Sequence, residues 1–144
     1  MNTNTWSAKF VLPSIAQAAE PVIGDLLAQL QEQHCWSDHD IFGIHLSLEE
    51  ALTNAMEHGN RWDPAKQVEI VFHCSPSYLR IEILDQGPGF DPATVPDPSH
   101  SERLACPRGR GLFIMRHYMT RVQYLDFGNR LVLEKTRESQ ANVA

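Results

Sequence analysis

The chain has 144 residues, of which 42% are hydrophobic and 21% are charged, values typical of one globular domain spanning residues 1–144. Twelve basic and eighteen acidic side chains give a net charge of −6, which argues against general nucleic-acid binding because that requires a basic surface. No apolar run is long enough to span a membrane, and residues 1–10 do not resemble a secretory signal. The cytoplasm is therefore the expected location.

The N-terminal part of the chain predicts a strand followed by a helix. Residues 5–12 alternate loosely and end at Pro13, a pattern that favours an edge strand. Ser14 is a suitable N-cap for a helix whose apolar residues repeat at helical spacing. Pro21 lies inside that pattern and predicts a kink or a break.

A second helix follows, with one apolar face. Ser37 or Asp38 caps its start, and Gly59-Asn60 is a standard stop signal. The residues that are predicted to pack inward are Ile41, Ile44, Leu48, Leu52 and Ala55.

The next segment predicts a hairpin. Lys66–Cys74 and Tyr78–Asp85 have the pattern of two strands, joined by the turn Ser75-Pro76-Ser77. By the period of two, Asp85 continues the apolar face of the second strand, so we expect its carboxylate to be buried. A buried carboxylate requires a hydrogen-bond donor, which a ligand amino group or a water would supply.

The C-terminal part predicts a long loop, a helix and a closing hairpin. Residues 91–108 carry four prolines and little periodicity, and loops of this length are usually functional or disordered. A third helix begins near Gly109. Val122–Asp126 and Arg130–Thr136 form the hairpin, with the turn geometry supplied at Gly128-Asn129.

The cysteines do not form a recognisable framework. Cys35, Cys74 and Cys106 are an odd number at wide spacing, so neither a disulfide framework nor a CxxC metal site is implied. His34, Cys35 and His39 lie close together but lack a fourth ligand at motif spacing. This favours a polar connection between helices over a zinc site.

The most informative residues lie on the polar side of the second helix. Glu50, Asn54 and His58 are spaced four apart and share one face. Glu50 and Asn54 lie roughly opposite the apolar stripe, so we expect them to face a cleft or solvent. A carboxylate, an amide and an imidazole in one row suit a metal and phosphate site, and two glycine clusters follow, at 85–90 and 109–112. Together these three segments indicate a nucleotide site.

The three segments resemble the motifs of the GHKL ATPase superfamily, which includes gyrase-type enzymes, sensor histidine kinases and heat-shock chaperones. Glu50-x-x-x-Asn54-Ala-x-x-His58-Gly59-Asn60 is similar to its N box. Asp85-x-Gly87-x-Gly89-Phe90 is similar to the first glycine box, and Gly109-x-Gly111-Leu112 to the second. The order of the motifs, the short chain and the wording of the N box most resemble the bacterial anti-sigma factor serine/threonine kinases.

The resemblance implies a role for each residue of the helical row. Asn54 would be a ligand of Mg²⁺, an ion that prefers hard oxygen atoms. Glu50 would be the general base that activates a hydroxyl for attack on the γ-phosphate of ATP. His58 has two readings, contact with the nucleotide pocket and a favourable charge at the helix C-terminus.

The first glycine box would hold the adenosine part of ATP. Asp85 would accept a hydrogen bond from the exocyclic amino group of adenine, which favours adenine over guanine. Gly87 and Gly89, followed by Phe90, would let the backbone approach the base and the ribose without a clash.

The second glycine box would hold the phosphates. Gly109 and Gly111 open a helix, and the free N–H groups at a helix N-terminus bind phosphate. Arg108 and Arg110 add positive charge, and one of them would reach the γ-phosphate. Leu112 completes the box, and the preceding loop would be a lid over ATP.

The implied fold is of the Bergerat type, a two-layer α/β sandwich with helices on one face of a mixed, mostly antiparallel sheet of about five strands. The implied function is that of a homodimeric anti-sigma factor kinase, which phosphorylates an anti-anti-sigma protein and sequesters a sigma factor. One alternative is an ATP-binding regulatory module with little or no kinase activity. Another is a detached catalytic domain of a histidine kinase, which the absence of a dimerisation helix with a phosphoacceptor histidine disfavours.

Overall fold

The structure is a computed structural model that describes residues 5–89 and 107–137. These residues form a two-layer α/β sandwich, in which helices pack on one face of a five-stranded sheet. The elements are β1 (Trp6–Pro13), α1 (Ala16–Glu32), α2 (Asp38–Asn54), a π-helical turn (Ala55–Gly59), β2 (Gln67–Cys74), β3 (Tyr78–Leu84), α3 (Pro107–Tyr118), β4 (Arg121–Leu125) and β5 (Arg130–Thr136). The predicted architecture is confirmed. None of these helices is long and apolar enough to cross a membrane.

The sheet has the strand order β1-β2-β3-β5-β4, and the four pairings between neighbours are all antiparallel rather than mixed. Because β5 pairs with β3, the turn between β4 and β5 lies beside the end of β3. Leu84 pairs with Arg130, and the backbone N–H of Asp85 donates to the carbonyl of Asn129 at 3.0 Å. The first glycine box therefore starts against the β4–β5 turn.

One face of the sheet is apolar and forms the core with the helices. The period of two holds along β2 and β3, as the alternation predicts. Fully buried residues of this core include Ile70, Phe72, Leu79, Ile81 and Leu133 from the strands and Leu26, Leu30, Ile44 and Leu48 from the helices. Each such side chain contributes about 1.5–3 kcal/mol through burial.

The start of α2 follows the prediction, whereas the start of α1 does not. Ser37 forms a capping box with Asp40: the Ser37 Oγ accepts from the Asp40 N–H at 3.0 Å, and the Asp40 carboxylate accepts from the Ser37 N–H at 3.4 Å. The N-cap of α1 is Ile15, without a side-chain bond. Ser14 instead donates to the carbonyl of Lys66 at 2.8 Å, so its prediction as a cap is wrong.

Pro21 lies inside α1 without dividing it, because the helix runs unbroken from Ala16 to Glu32. A proline in a helix removes one backbone hydrogen bond. The buried side chains that follow, Val22, Ile23 and Leu26, anchor the helix to the core and offset that loss.

The end of α2 widens into the π-helical turn. The N–H of Asn60 donates to the carbonyl of Ala55 at 2.9 Å, a spacing of five residues. Single π-helical turns occur frequently at functional sites. Here the turn carries His58 and Gly59, which are the last residues of the N box before Asn60.

Candidate functional site

Helix α3 crosses the polar row of α2 at close range because glycines stand at the contacts. A β-carbon at Gly43 would lie 2.3 Å from the ring of Tyr118. A β-carbon at Gly111 would lie 2.9 Å from Glu50 Oε2 and 3.1 Å from Asn54 Nδ2. The second glycine box therefore touches the first two residues of the row, and these side chains face α3 as well as a cleft.

The row opens into a cavity of about 310 Å³ between α2 and α3. Four predicted site residues line it: Glu50, Asn54, His58 and Arg110. The other lining residues are Thr53, Glu57 and Ile114. The motifs that are most distant along the chain, the N box and the second glycine box, thus meet at one place.

Two buried polar atoms of this wall indicate that it binds a polar ligand. Asn54 is only 7% exposed, and its Nδ2 has no hydrogen-bond partner among the described residues, nor has His58 Nε2. Buried polar groups in proteins are normally paired, so each of these is suited to a ligand. An amide can present either its oxygen or its nitrogen, and Asn54 can therefore serve a cation or a phosphate.

The electrostatics of Glu50 suit a proton acceptor. Burial raises the pKa of its carboxyl above the ordinary value, the charge of Arg110 opposes this rise, and the charge of Glu49 adds to it. A carboxylate with a raised pKa binds a proton more readily than an exposed one. Glu50 is half-buried, so its carboxylate remains within reach of a reactant.

The first glycine box packs against the end of the N box through backbone atoms. A β-carbon at Gly87 would lie 1.9 Å from the carbonyl oxygen of Gly59, and one at Gly59 would lie 2.4 Å from the carboxylate of Asp85. Gly89 has a φ of +82°, and a β-carbon there would lie 2.0 Å from the carbonyl oxygen of Phe127. At both positions of the box a β-carbon would clash with backbone atoms, so only glycine fits there.

Asp85 is half-buried rather than buried, which corrects the sequence-based expectation. The strand β3 ends at Leu84, so Asp85 no longer follows the alternation that places side chains in the core. Its Oδ1 accepts a hydrogen bond from the N–H of Gly87 at 2.9 Å. The carboxylate is held beside Gly59, at the junction between the N box and the first glycine box.

Asn60, which the sequence analysis placed at the end of the N box and in a stop signal without a role of its own, is a structural centre of the site. It is fully buried. Its Nδ2 donates to Ser14 Oγ at 2.8 Å and to the carbonyl of Gln67 at 3.0 Å, and its Oδ1 accepts from the N–H of Gln86 at 2.7 Å. Gln86 Oε1 in turn accepts from the N–H of Gln67 at 2.7 Å.

This network ties the end of the N box to β1, to β2 and to the first glycine box. An asparagine directly after a helix-ending glycine was the only signal of it in the sequence. Its hydrogen-bond partners are distant along the chain, so local patterns could not identify them.

The second glycine box forms the first turns of α3. The helix begins at Pro107, a residue well suited to the first helical position because it has no N–H to satisfy. The next residues, Arg108 and Gly109, present N–H groups that have no partner within the helix. The helix N-terminus and the Arg110 side chain, which lines the cavity, together favour an anion.

Four predicted binding residues, Asp85, Phe90, Arg108 and Leu112, do not contribute a described side chain to the cavity. Leu112 is 5% exposed and belongs to the hydrophobic core, so its side chain packs the start of α3 against the core. Phe90 and the side chain of Arg108 lie outside the described residues, as do most of the predicted loop 91–108 and Cys106.

The donor atoms of the site fit an ion such as Mg²⁺. Residues 5–89 and 107–137 contain no group of three or more His, Cys, Asp or Glu side chains that could hold a metal. Mg²⁺ usually contacts only one or two protein oxygens and takes its remaining ligands from water and phosphate. Asn54 can supply such an oxygen. The second metal site that the sequence raised, a zinc site at His34, Cys35 and His39, shows other contacts. Cys35 Sγ donates to the carbonyl of Gln33 at 3.1 Å, and the ring of His39 lies against that of Tyr118.

A two-layer sandwich that joins a polar helical row to two glycine boxes is the arrangement of the GHKL class. A family model described as a histidine kinase-like ATPase domain matches residues 13–135, and the chain belongs to this family. The resemblance deduced from the three motifs is therefore confirmed.

Two curated proteins are similar to this chain. Serine/threonine-protein kinase BtrW of Bordetella bronchiseptica is 29% identical over 91 residues, which cover 62% of this chain and 64% of that protein. Serine-protein kinase RsbW of Bacillus licheniformis is 30% identical over 97 residues, which cover 61% of this chain and 59% of that protein. The chain thus spans about three fifths of the length of these relatives.

Proposed function

We propose that this protein is an anti-sigma factor serine/threonine kinase, which binds ATP with Mg²⁺, phosphorylates an anti-anti-sigma protein and sequesters a sigma factor. The observation that carries this proposal is the contact of Gly111 with Glu50 and Asn54. It brings the Glu50 carboxylate and the Asn54 amide beside the first turns of α3, and Glu50, Asn54 and Arg110 line one cavity. The names of the two kinase relatives support the phosphoryl transfer, and the wording of the N box supports the anti-sigma part.

The nucleotide would lie between the two glycine boxes. Asp85 would accept from the amino group of adenine, beside the close backbone contact of Gly87 with Gly59. The first turn of α3 and Arg110 would bind the phosphates. Asn54 would contribute an oxygen to Mg²⁺, which when bound neutralises phosphate charge and orients the γ-phosphate for transfer.

Glu50 would accept the proton of a serine or threonine hydroxyl as that oxygen attacks the γ-phosphate. The attacking oxygen forms a bond to phosphorus, the bond from phosphorus to the bridging oxygen breaks, and ADP leaves. Burial raises the pKa of Glu50, which suits this task. The hydroxyl would come from a protein, as the protein-kinase names of the two relatives suggest.

The same proposal includes a cytoplasmic location, a homodimer and one domain over residues 1–144. An ATP-binding regulatory module with little or no kinase activity is the alternative. It shares the nucleotide site and differs only in whether phosphate is transferred.

Transfer of labelled phosphate from ATP to candidate antagonist proteins tests the proposal. We expect phosphoserine or phosphothreonine on the antagonist and a rate about 100- to 10,000-fold lower in Glu50→Gln, because a general base contributes an effect of that size. ATP affinity should be retained in that variant. Glu32→Gln, at the exposed end of α1, is the matched control and should transfer normally. Binding of a sigma factor without any transfer by the wild type would favour the regulatory module instead.

A further inference from the structure

A second cavity lies between α1 and α2, on the other flank of the helix that carries Glu50. We call it the α1–α2 groove, and its volume is about 160 Å³, close to that of cavities that admit a benzene-sized group. Its floor is apolar because Ile23, Leu52 and Met56 line it and are almost completely buried. A groove of this size fits one side chain of a partner.

The rim of the groove is acidic. Glu20 and Glu49 line it, and no basic side chain is among its described lining residues. Glu49 also approaches His45 at 3.7 Å, but this pair is exposed to solvent and therefore contributes little. The carboxylates thus remain available to a cation, and an apolar floor favours a cation that is carried on an aliphatic stem.

Trp62 provides the third feature of the rim. It lines the groove and is 43% exposed. Arg61 and Trp62 both adopt left-handed backbone conformations, with φ values of 54° and 56°, which are rare for residues other than glycine. The N–H of Trp62 donates to the carbonyl of Met56 at 2.8 Å, so the turn is fixed. Strained turns of this kind concentrate at binding sites, and this one holds an indole at the mouth of a groove instead of in the core.

An indole beside two carboxylates is a suitable site for a guanidinium group. Arginine stacks on aromatic faces and forms paired hydrogen bonds to carboxylates, while its stem packs on apolar surface. The groove also adjoins the nucleotide cavity, because Thr53 lines both. A chain bound in the groove would therefore pass near Glu50.

We propose that the α1–α2 groove binds an arginine side chain of the protein that the kinase phosphorylates. This inference rests on the proposed function, which supplies the substrate protein. A helix is about 10 Å wide and an extended chain advances about 3.3 Å per residue. The arginine should therefore lie about three residues from the hydroxyl that receives the phosphate. Glu20, Glu49 and Trp62 would determine which proteins are substrates.

Titration of the full chain with N-acetyl-arginine amide, followed by NMR of the tryptophan indole N–H groups, tests the groove directly. The Trp62 signal is identified with Trp62→Phe. We expect a saturable shift of that signal with a Kd on the order of millimolar, and no such shift with the neutral analogue N-acetyl-citrulline amide. The double variant Glu20→Gln/Glu49→Gln should bind more weakly than the wild type, by up to roughly fivefold, whereas Glu32→Gln should bind as the wild type does.

An equal response to arginine and citrulline, no response at all, or unchanged affinity in the double variant would overturn the proposal. The phosphate-transfer assay is then repeated with Glu20→Arg, which leaves Glu49 beside Glu50 unchanged, with ATP affinity measured in parallel. A loss of transfer with ATP affinity retained supports the groove, and normal transfer refutes it. If the wild type transfers no phosphate to any antagonist, the proposed kinase function fails, while the arginine titration still decides whether the groove binds a guanidinium group.

Discussion

The two glycine boxes border the proposed nucleotide site but are built differently. In the first, Gly87 packs against the backbone of Gly59 and Gly89 against the backbone of Phe127. In the second, Gly111 packs against the ends of the Glu50 and Asn54 side chains. The wall assigned to adenine is thus fixed by main-chain contacts, and the wall assigned to the phosphates is fixed by side chains that can rotate.

This difference matches what each wall must do. Recognition of a base requires donors and acceptors at constant positions, and the Asn60 network holds the first box there. Phosphoryl transfer depends on where the Glu50 carboxylate and the Asn54 amide lie, and side chains beside Gly111 can shift by rotation. We therefore expect changes at the first box to affect nucleotide binding and folding, and changes at the second to affect mainly the rate of transfer.

The largest effect is expected from Gly87→Ala. A methyl group there meets the backbone oxygen of Gly59 at 1.9 Å, so main chain must move. We expect a loss of about 1–3 kcal/mol in the free energy of unfolding together with loss of ATP binding, measured by denaturant unfolding and calorimetry. Gly24→Ala is the control, because its methyl group meets nothing within 4 Å and should stabilise α1 by about 0.5–1 kcal/mol. Unchanged ATP affinity in Gly87→Ala would contradict a rigid first box.

Asp85→Asn is expected to weaken ATP binding by about 10- to 100-fold, because a hydrogen bond to a charged group contributes about 1.5–3 kcal/mol. The chain should remain folded, since Asp85 is half-buried and the amide has nearly the same size. Calorimetric titration with ATP and with GTP measures the change and the loss of discrimination between the bases. If ATP affinity is the same in both proteins, Asp85 does not bind adenine.

Gly111→Ala tests the adjustable wall. The added methyl group would lie 2.9 Å from Glu50 Oε2, which can rotate away at little cost in stability. The displaced carboxylate should reduce phosphate transfer on the order of tenfold, while ATP affinity and unfolding change much less. A variant that unfolds, or one that loses ATP binding to the same extent as Gly87→Ala, would show that the two boxes do not differ in rigidity.

The smallest effect concerns stability and pH. Because burial raises the folded-state pKa of Glu50, its contribution to stability is fully present below the unfolded-state pKa and is lost as the pH rises through the folded-state pKa. At neutral pH the charged carboxylate is therefore a cost, and Glu50→Gln should raise the Tm by a few degrees. This gain should disappear below about pH 4. Thermal unfolding across that range checks it, with the exposed Glu32→Gln as the control, and a gain that is independent of pH would argue against the desolvation of Glu50.

Local patterns predicted most of the fold and four residues that line the cavity between α2 and α3. Alternation located β2 and β3, and the stop signal at Gly59 located the end of the helical segment. The spacing of Glu50, Asn54 and His58 identified one wall of the cavity, since residues four apart on a helix share a face whatever lies around them.

The sequence-based predictions failed where contacts between distant parts of the chain determine the structure. Ser14 forms hydrogen bonds with Asn60 and Lys66 and does not cap the start of α1, and these partners lie about fifty residues further along the chain. Asp85 leaves the core because β3 ends one residue earlier than its pattern suggests. The left-handed turn at Trp62 had no glycine to reveal it, so the α1–α2 groove was not visible in the sequence.

We propose that the helical row and the two glycine boxes form one site for ATP with Mg²⁺. Calorimetric titration of ATP with and without Mg²⁺, for the wild type and for Asn54→Ala, tests this most directly. We expect one ATP per chain, tighter binding in the presence of Mg²⁺, and loss of that enhancement in Asn54→Ala while binding without Mg²⁺ is retained. Absence of ATP binding by the wild type, or an equal Mg²⁺ enhancement in both proteins, would contradict the claim.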